Sequence, residues 1–149
     1  MKTRAVRLYG AHDIRLEEFE LSPVGDDGVR CKVISDSLCM SSFKALEQGA
    51  AHKRVPDDVA TNPTIIGHEF CGVIDEVGKN WAHKFKKGDG FVIQPAHSYK
   101  GALTAPGYSL RECGGDATYV NIPWETLHMD CLLPYNSDVY FYGSLAEPM

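Results

Sequence analysis

Apolar and charged residues alternate over several short stretches of the chain, a pattern typical of half-buried β-strands. Val29, Cys31 and Val33 are apolar, whereas the intervening Arg30 and Lys32 are charged. Clusters of Gly, Pro, Asn and Asp separate such stretches and supply the turns between strands. Further strands are predicted on the same grounds at 3–9, 14–21, 70–77, 91–93 and 117–122. The pattern predicts a mainly β fold, an irregular barrel with a few short helices.

Two segments carry helix signals instead. Ser41 or Ser42 is predicted to cap a short helix that ends at Gly49. A second helix is predicted over 139–146. The polar or Gly- and Pro-rich stretches that remain are expected to be loops, at 50–63 and 95–115.

Length and charge narrow the range of functions. A chain of 149 residues can form one domain with a hydrophobic core. Its net charge of −5 argues against nucleic acid as a partner, since phosphate binding needs a basic surface. No apolar stretch is long enough to span a bilayer, and the N-terminus has no apolar signal sequence. We therefore expect a cytoplasmic protein without nucleic acid or membrane partners.

The five cysteines indicate thiols rather than a disulfide framework. They are odd in number and widely spaced, at Cys31, Cys39, Cys71, Cys113 and Cys131. A small secreted domain usually carries an even number of paired cysteines, so reduced thiols in the cytoplasm are expected. Cys31 and Cys71 lie in predicted strands, where a thiol acts as a small buried hydrophobe.

One cysteine has candidate partners for a metal. Cys39, His68, Glu69 and Glu147 offer a thiolate, an imidazole and two carboxylates, which are ligands that zinc accepts. Cys39 and His68 are 29 residues apart, so only the fold could bring them together. Taken singly, a buried structural thiol and an ordinary His-Glu pair are the alternatives.

The residues around the His-Glu pair carry a family resemblance. The run 67–78, followed by 85–89, resembles the signature of the zinc-type medium-chain alcohol and polyol dehydrogenases. The whole chain is similar to the N-terminal catalytic domain of that family, which implies an irregular chaperonin-10-like (GroES-like) β-barrel. Four stretches look closest to the sorbose-1-phosphate reductase branch, at 37–41, 66–72, 114–119 and 141–149. The implied substrate is a sugar, polyol or sugar phosphate such as sorbose 1-phosphate.

The resemblance also implies roles for individual residues. Cys39 and His68 match zinc ligands, and Ser41 matches the hydroxyl that bonds the reacting oxygen and starts the proton path. Glu69 and Glu147 are both candidates for a zinc ligand and for the carboxylate that holds the metal-bound water. The implied reaction is hydride transfer between a nicotinamide and an alcohol or ketone held at the zinc.

Three positions depart from the family pattern. Ser42 stands where relatives usually have an Asp that orients the zinc-bound His68, although a serine can still accept a hydrogen bond. Lys44 stands where a basic or imidazole proton-relay residue is often found; it could relay protons or contact an anionic substrate, and an ordinary solvated helix lysine is the alternative. Cys113 is alone in a stretch where many relatives have four closely spaced cysteines, so we expect one catalytic zinc and no structural zinc.

A phosphorylated substrate would need cationic partners. The basic residues that could hold a phosphate are Lys44, Lys53, Arg54, Lys100 and Arg111, with scattered surface charge as the alternative for each.

A nucleotide site is not evident in the chain. The nearest candidate, Gly88-Asp89-Gly90, lacks a third glycine and is expected to form a turn. We therefore expect residues 1–149 to be a catalytic domain whose NAD(P) is bound by a Rossmann domain after residue 149. The domain alone is expected to be inactive, and the full-length protein to be a homo-oligomer. The alternatives are a zinc-free quinone-reductase-like protein and a non-catalytic binding module on the same barrel.

Overall fold

The computed structural model describes residues 1–95 and 104–136, which form two antiparallel sheets. One sheet has the strand order β2-β1-β4, and the other has the order β7-β3-β5-β6-β8. The expectation of a mainly β fold with a few short helices is confirmed. The strands are β1 Lys2–Gly10, β2 Asp13–Glu20, β3 Val29–Asp36, β4 Thr64–Ile65, β5 Phe70–Val77, β6 Gly90–Ile93, β7 Tyr119–Ile122 and β8 Leu132–Tyr135. The helices are α1 Met40–Gln48 and α2 Trp124–His128, with 3₁₀ turns at Gly49–Ala51 and Lys79–Trp81.

The two sheets meet where β1 runs beside the residues that precede β7. Ala5 forms an isolated bridge with Ala117, and the backbone N–H of Val6 donates to the carbonyl of Asp116 at 2.8 Å. Buried side chains from both sheets fill the space between them, including Phe70 of β5. Its ring meets that of Phe91 edge to face, with 6.0 Å between the centroids. One hydrophobic core therefore serves both sheets.

Pairing between β3 and β5 determines where the candidate ligands lie. These antiparallel strands pair from Val29 opposite Val77 to Asp36 opposite Phe70. Cys39 follows the end of β3, and the His68-Glu69 pair immediately precedes β5. The antiparallel register therefore places both segments at the same end of the sheet, although 29 residues separate Cys39 from His68.

Helix α1 begins earlier than the sequence suggested. Cys39 is its N-cap, and the Cys39 sulfur accepts a hydrogen bond from the backbone N–H of Ser41 at 3.4 Å. The predicted caps, Ser41 and Ser42, already lie within the helix, so that prediction was wrong. The extended backbone leaving β3 ends at Cys39, and this sets the cap position. The predicted end at Gly49 is confirmed, with φ of 52°.

Other segments differ from expectation in part. The segment 50–63 consists mainly of turns, as a loop was expected, but it begins within a 3₁₀ turn and also buries Val55 and Val59 in a second small core. Strand β8 was not predicted, because Leu132–Tyr135 shows little alternation and contains Pro134. Helix α2 and the two-residue β4 were also missed. The helix predicted at 139–146 lies outside the described residues.

All five cysteines are free, as expected, and Cys31, Cys71, Cys113 and Cys131 are buried. Among the described residues, no helix has the length and apolar character needed to cross a membrane.

Candidate metal centre

Cys39, His68 and Glu69 form one cluster at the end of the larger sheet. One potential ligand atom from each residue lies within 4.8 Å of the corresponding atoms of the other two. His68 and Glu69 are 6% and 5% exposed, whereas Cys39 is half-buried. The His68 Nε2 and Glu69 Oε1 atoms are 3.8 Å apart. The fold thus brings together three of the four predicted metal ligands, and Glu147 lies outside the described residues.

The chemistry of the cluster fits zinc. Bonds of about 2.0–2.3 Å in a tetrahedral site place ligand atoms roughly 3.3–3.8 Å apart, so these atoms, now within 4.8 Å of one another, need to close by at most about 1.5 Å. Both ring nitrogens of His68 are buried without a hydrogen-bond partner, and a bound metal would satisfy one of them. Burial lowers the pKa of His68, although Glu69 acts in the opposite direction. The neutral imidazole that binds a metal is therefore favoured.

Asp36 holds the backbone of the ligand segment. Its Oδ1 atom accepts hydrogen bonds from the N–H groups of Ser37 and Glu69, each at 3.0 Å. The Ser37 N–H also lies 3.1 Å from the Glu69 carbonyl oxygen. Burial raises the pKa of Asp36 to about 7, with nearby Asp116 adding to the effect and the two N–H groups opposing it. Asp36 links the end of β3 to the residue that precedes β5.

Gly67 leaves room for this carboxyl group. Its φ is 95°, and a Cβ atom there would lie 2.0 Å from Asp36 Oδ2 and 2.7 Å from the backbone nitrogen of Asp116. The Gly67 carbonyl also accepts a hydrogen bond from Gly115 at 2.7 Å. Only glycine suits both this backbone conformation and this space. The glycine before His68 is therefore required by local packing as well as by the turn.

Tyr108 packs against the metal cluster. Its ring centroid is 4.9 Å from that of His68 and 5.6 Å from that of His52. Tyr108 is 3% exposed, and its hydroxyl lies near those of Ser41 and Ser42 without the geometry of a hydrogen bond to either. Burial is the main reason why the pKa of Tyr108 is raised to about 12. The hydroxyl of Ser42 is likewise buried without a partner among the described residues, and the Tyr108 ring packs on His68 where the sequence suggested a hydrogen bond to Ser42.

A cleft of about 440 Å³ opens over the cluster, within the usual size range of small-molecule sites. The three candidate ligands line one part of it. Ser41 and Lys44, both predicted to face a substrate, also line it, together with Lys53 and Arg54.

Two predicted phosphate contacts stand apart. Arg111 is engaged with Asp58 at 2.7 Å and with the carbonyl oxygen of Asn62, and it does not line the cleft. Lys100 lies outside the described residues.

Comparison with known proteins identifies the fold. Residues 25–132 match the profile of the alcohol dehydrogenase GroES-like domain. The chain belongs to this family. The resemblance to zinc-type medium-chain alcohol and polyol dehydrogenases, and the expected GroES-like barrel, are thereby confirmed.

Relatives of this GroES-like domain include sugar-phosphate enzymes. The chain is 53% identical over 147 residues to L-sorbose 1-phosphate reductase of Klebsiella pneumoniae, covering 99% of this chain and 36% of that protein. It is 45% identical over 148 residues to mannitol-1-phosphate 5-dehydrogenase of Aliivibrio fischeri, covering 99% of this chain and 35% of that protein. The chain thus spans about a third of the length of these relatives.

A solved structure shares the architecture. The 2R,3R-butanediol dehydrogenase of Bacillus subtilis superimposes with a TM-score of 0.79 at 26% identity, covering 98% of this chain and 44% of the other.

Proposed function

We propose that this GroES-like domain is the zinc-binding catalytic part of a nicotinamide-dependent oxidoreductase acting on a sugar, a polyol or their phosphates. The cluster of Cys39, His68 and Glu69 in the floor of a cleft is the observation that carries the proposal. The names of the two sugar-phosphate relatives support the substrate class.

The chain supplies ligands and a proton path. When bound, zinc acts as a Lewis acid that polarises a carbonyl group and stabilises negative charge on its oxygen. Cys39 and His68 would hold the ion, with Glu69 and Glu147 as candidates for the remaining carboxylate roles. Ser41 lines the same cleft, and its hydroxyl would bond the reacting oxygen and pass the proton.

The hydride would come from a nicotinamide bound by a separate domain of the full-length protein. The expected turn at Gly88-Asp89-Gly90 is present, with the Gly88 N–H bonded to Ile74 and the Asp89 N–H bonded to Lys86. Beside the metal cluster, Leu38 is 91% exposed and Met40 is 67% exposed. These apolar side chains would be covered when a nucleotide-binding domain presents its nicotinamide to the cleft. We further propose a single catalytic zinc, a cytoplasmic location and a homo-oligomeric full-length enzyme.

Metal analysis of the full-length protein tests the proposal. We expect about one zinc per chain, lost in Cys39→Ser because the thiolate ligand is removed. Cys131→Ser is the matched control, since its thiol is outside the cluster and donates to the Met129 carbonyl at 3.5 Å. It should retain zinc. The zinc-loaded protein should reduce a ketose or ketose phosphate with NADH or NADPH.

A zinc-free wild-type protein, or unchanged zinc in Cys39→Ser, would favour the quinone-reductase-like or non-catalytic alternatives. Nicotinamide-dependent reduction by residues 1–149 alone would contradict the need for a second domain.

A further inference from the structure

The cleft contains positive charge that no described carboxylate neutralises by a salt bridge. Most Lys and Arg side chains in the described part of the chain form salt bridges with described carboxylates, all outside this cleft. The exceptions are Arg4, Lys32, Lys44, Lys53 and Arg54. Three of these exceptions, Lys44, Lys53 and Arg54, line the one cleft that also contains the metal cluster. Such a concentration is unexpected in a chain with a net charge of −5.

Arg54 is the most constrained of the three cations. Its Nη1 atom is buried and has no hydrogen-bond partner. A guanidinium group is always charged and carries five N–H donors, so an unpaired buried donor is unfavourable until an anion occupies it.

The three positive charges converge on His52. Burial lowers the pKa of His52 first, and Arg54, Lys53 and Lys44 each lower it further. A neighbouring cation disfavours protonation of an imidazole, and only groups close to the ring have such an effect. Lys44, Lys53 and Arg54 also line the same cleft as His52, so the three side chains form one cationic wall rather than scattered surface charge.

The segment that carries this cationic wall is anchored. The Arg54 carbonyl accepts a hydrogen bond from Ser109 Oγ at 2.6 Å, and the Arg54 N–H donates to His52 Nδ1 at 3.3 Å. Val55, the next residue, is 5% exposed and belongs to the same small core as Tyr108. Because the backbone of the segment is already held in place, an anion can bind there with little further loss of backbone conformational entropy.

We propose that Lys44, Lys53 and Arg54 form a subsite for the phosphate group of a phosphorylated sugar or polyol. This inference rests on the proposed function, because it places the reacting carbon of that substrate at the metal end of the same cleft. A phosphate monoester carries nearly two negative charges and several strong acceptor oxygens at neutral pH, which suits two ammonium groups and a guanidinium. The one carboxylate among the described lining residues, Glu69, is in the metal cluster and leaves the cationic wall available.

The test compares L-sorbose 1-phosphate with L-sorbose as substrates of the zinc-loaded full-length protein. We expect the ratio of their kcat/KM values to fall about tenfold to a hundredfold in Lys53→Met and in Arg54→Met, since each change removes a charged hydrogen-bond donor to phosphate. Arg54→Lys, which keeps the charge, should lose less than Arg54→Met. Lys32→Met is the matched control: it removes an exposed lysine outside the cleft that forms no salt bridge with a described residue, and the ratio should stay unchanged.

Binding of inorganic phosphate, measured by calorimetry without nucleotide, provides a readout that does not depend on turnover. It should weaken about tenfold in Lys53→Met, an exposed position where folding is not at risk. Suppose that the wild type and the variants reduce both sugars with the same ratio of kcat/KM values, and that phosphate binding is unchanged. This result would reject the phosphate subsite and leave the proposed function standing. Conversely, the protein could reduce no ketose and yet bind phosphate in a way that the variants lose. This result would support the phosphate subsite and reject the proposed function.

Discussion

The carboxylate of Asp36 accepts a hydrogen bond from the backbone N–H of Glu69 at 3.0 Å, across 33 residues of sequence. Asp36 is the last residue of β3, and Glu69 immediately precedes β5. The bond therefore joins the strand that leads to Cys39 with the segment that carries His68 and Glu69. Asp36 does not belong to the metal cluster, so its effect on the metal would be exerted through the backbone of the ligand segment.

Replacement of Asp36 should weaken zinc binding. Asp36→Ala removes the acceptor for two backbone N–H groups, and we expect zinc affinity to fall about tenfold to a hundredfold, the range found when groups that orient metal ligands are lost. Asp36→Asn keeps an oxygen acceptor and should recover most of the affinity. Titration with Co²⁺ can follow binding through its thiolate absorption. Asp89→Ala is the control, because Asp89 also accepts a backbone N–H, from Lys86, outside the cluster. Equal effects of Asp36→Ala and Asp89→Ala would contradict the prediction.

Gly67→Ala should destabilise the domain far more than Gly88→Ala. The two glycines have nearly the same φ, 95° and 93°, so backbone strain of about 1–2 kcal/mol applies to both. A methyl group at Gly67 collides with Asp36 and the backbone of Asp116, whereas nothing lies within 4 Å of a Cβ at Gly88. We expect a further loss of about 2 kcal/mol or more at Gly67, measured by urea unfolding. Similar losses for both variants would show that the collision is relieved without cost.

The pKa of His52 should lie below its ordinary value of 6.5 and rise when inorganic phosphate is added. Burial lowers it most, and the neighbouring Arg54, Lys53 and Lys44 contribute. At pH values between the pKa of His52 in the folded protein and 6.5, the unfolded chain binds more protons at this residue than the folded protein does. His52 therefore makes the free energy of unfolding fall as the pH drops through that range. Titration of the His52 ring signals by NMR measures both effects. Arg54→Met should raise this pKa and Lys32→Met should not; a value at or above 6.5 without phosphate would refute the prediction.

The positions of several strands could be predicted from the sequence, because burial of one sheet face makes apolar and polar residues alternate along each strand. That rule located β3 and β5, and with them the ends that hold the candidate ligands. It could not find β8, where Leu132–Tyr135 lies at a sheet edge and includes Pro134. It also misplaced the helix cap, because Ser41 has the preferred side chain but Cys39 occupies the turn out of β3.

The metal ligands were named from a family resemblance, since their spacing alone said little. Asp36 and Tyr108 were missed because neither offers a motif. Asp36 acts through the backbone N–H of Glu69, which is 33 residues away in sequence. Tyr108 packs its ring on His68 from a segment that was expected to be a loop. An aspartate that ends a buried strand just before a candidate ligand was the available signal for the first. No local pattern distinguished the second.

The cleft cations that no described carboxylate pairs also attract an anionic substrate before it makes contact. The chain as a whole carries a net charge of −5 and repels anions at long range, yet Lys44, Lys53 and Arg54 create a local attractive field. Such a field extends over a screening length of about 8 Å at physiological ionic strength. A doubly charged substrate would be attracted only after it diffuses to within about that distance of the cleft. Added salt should then slow its association and leave the encounter with an uncharged sugar unaffected.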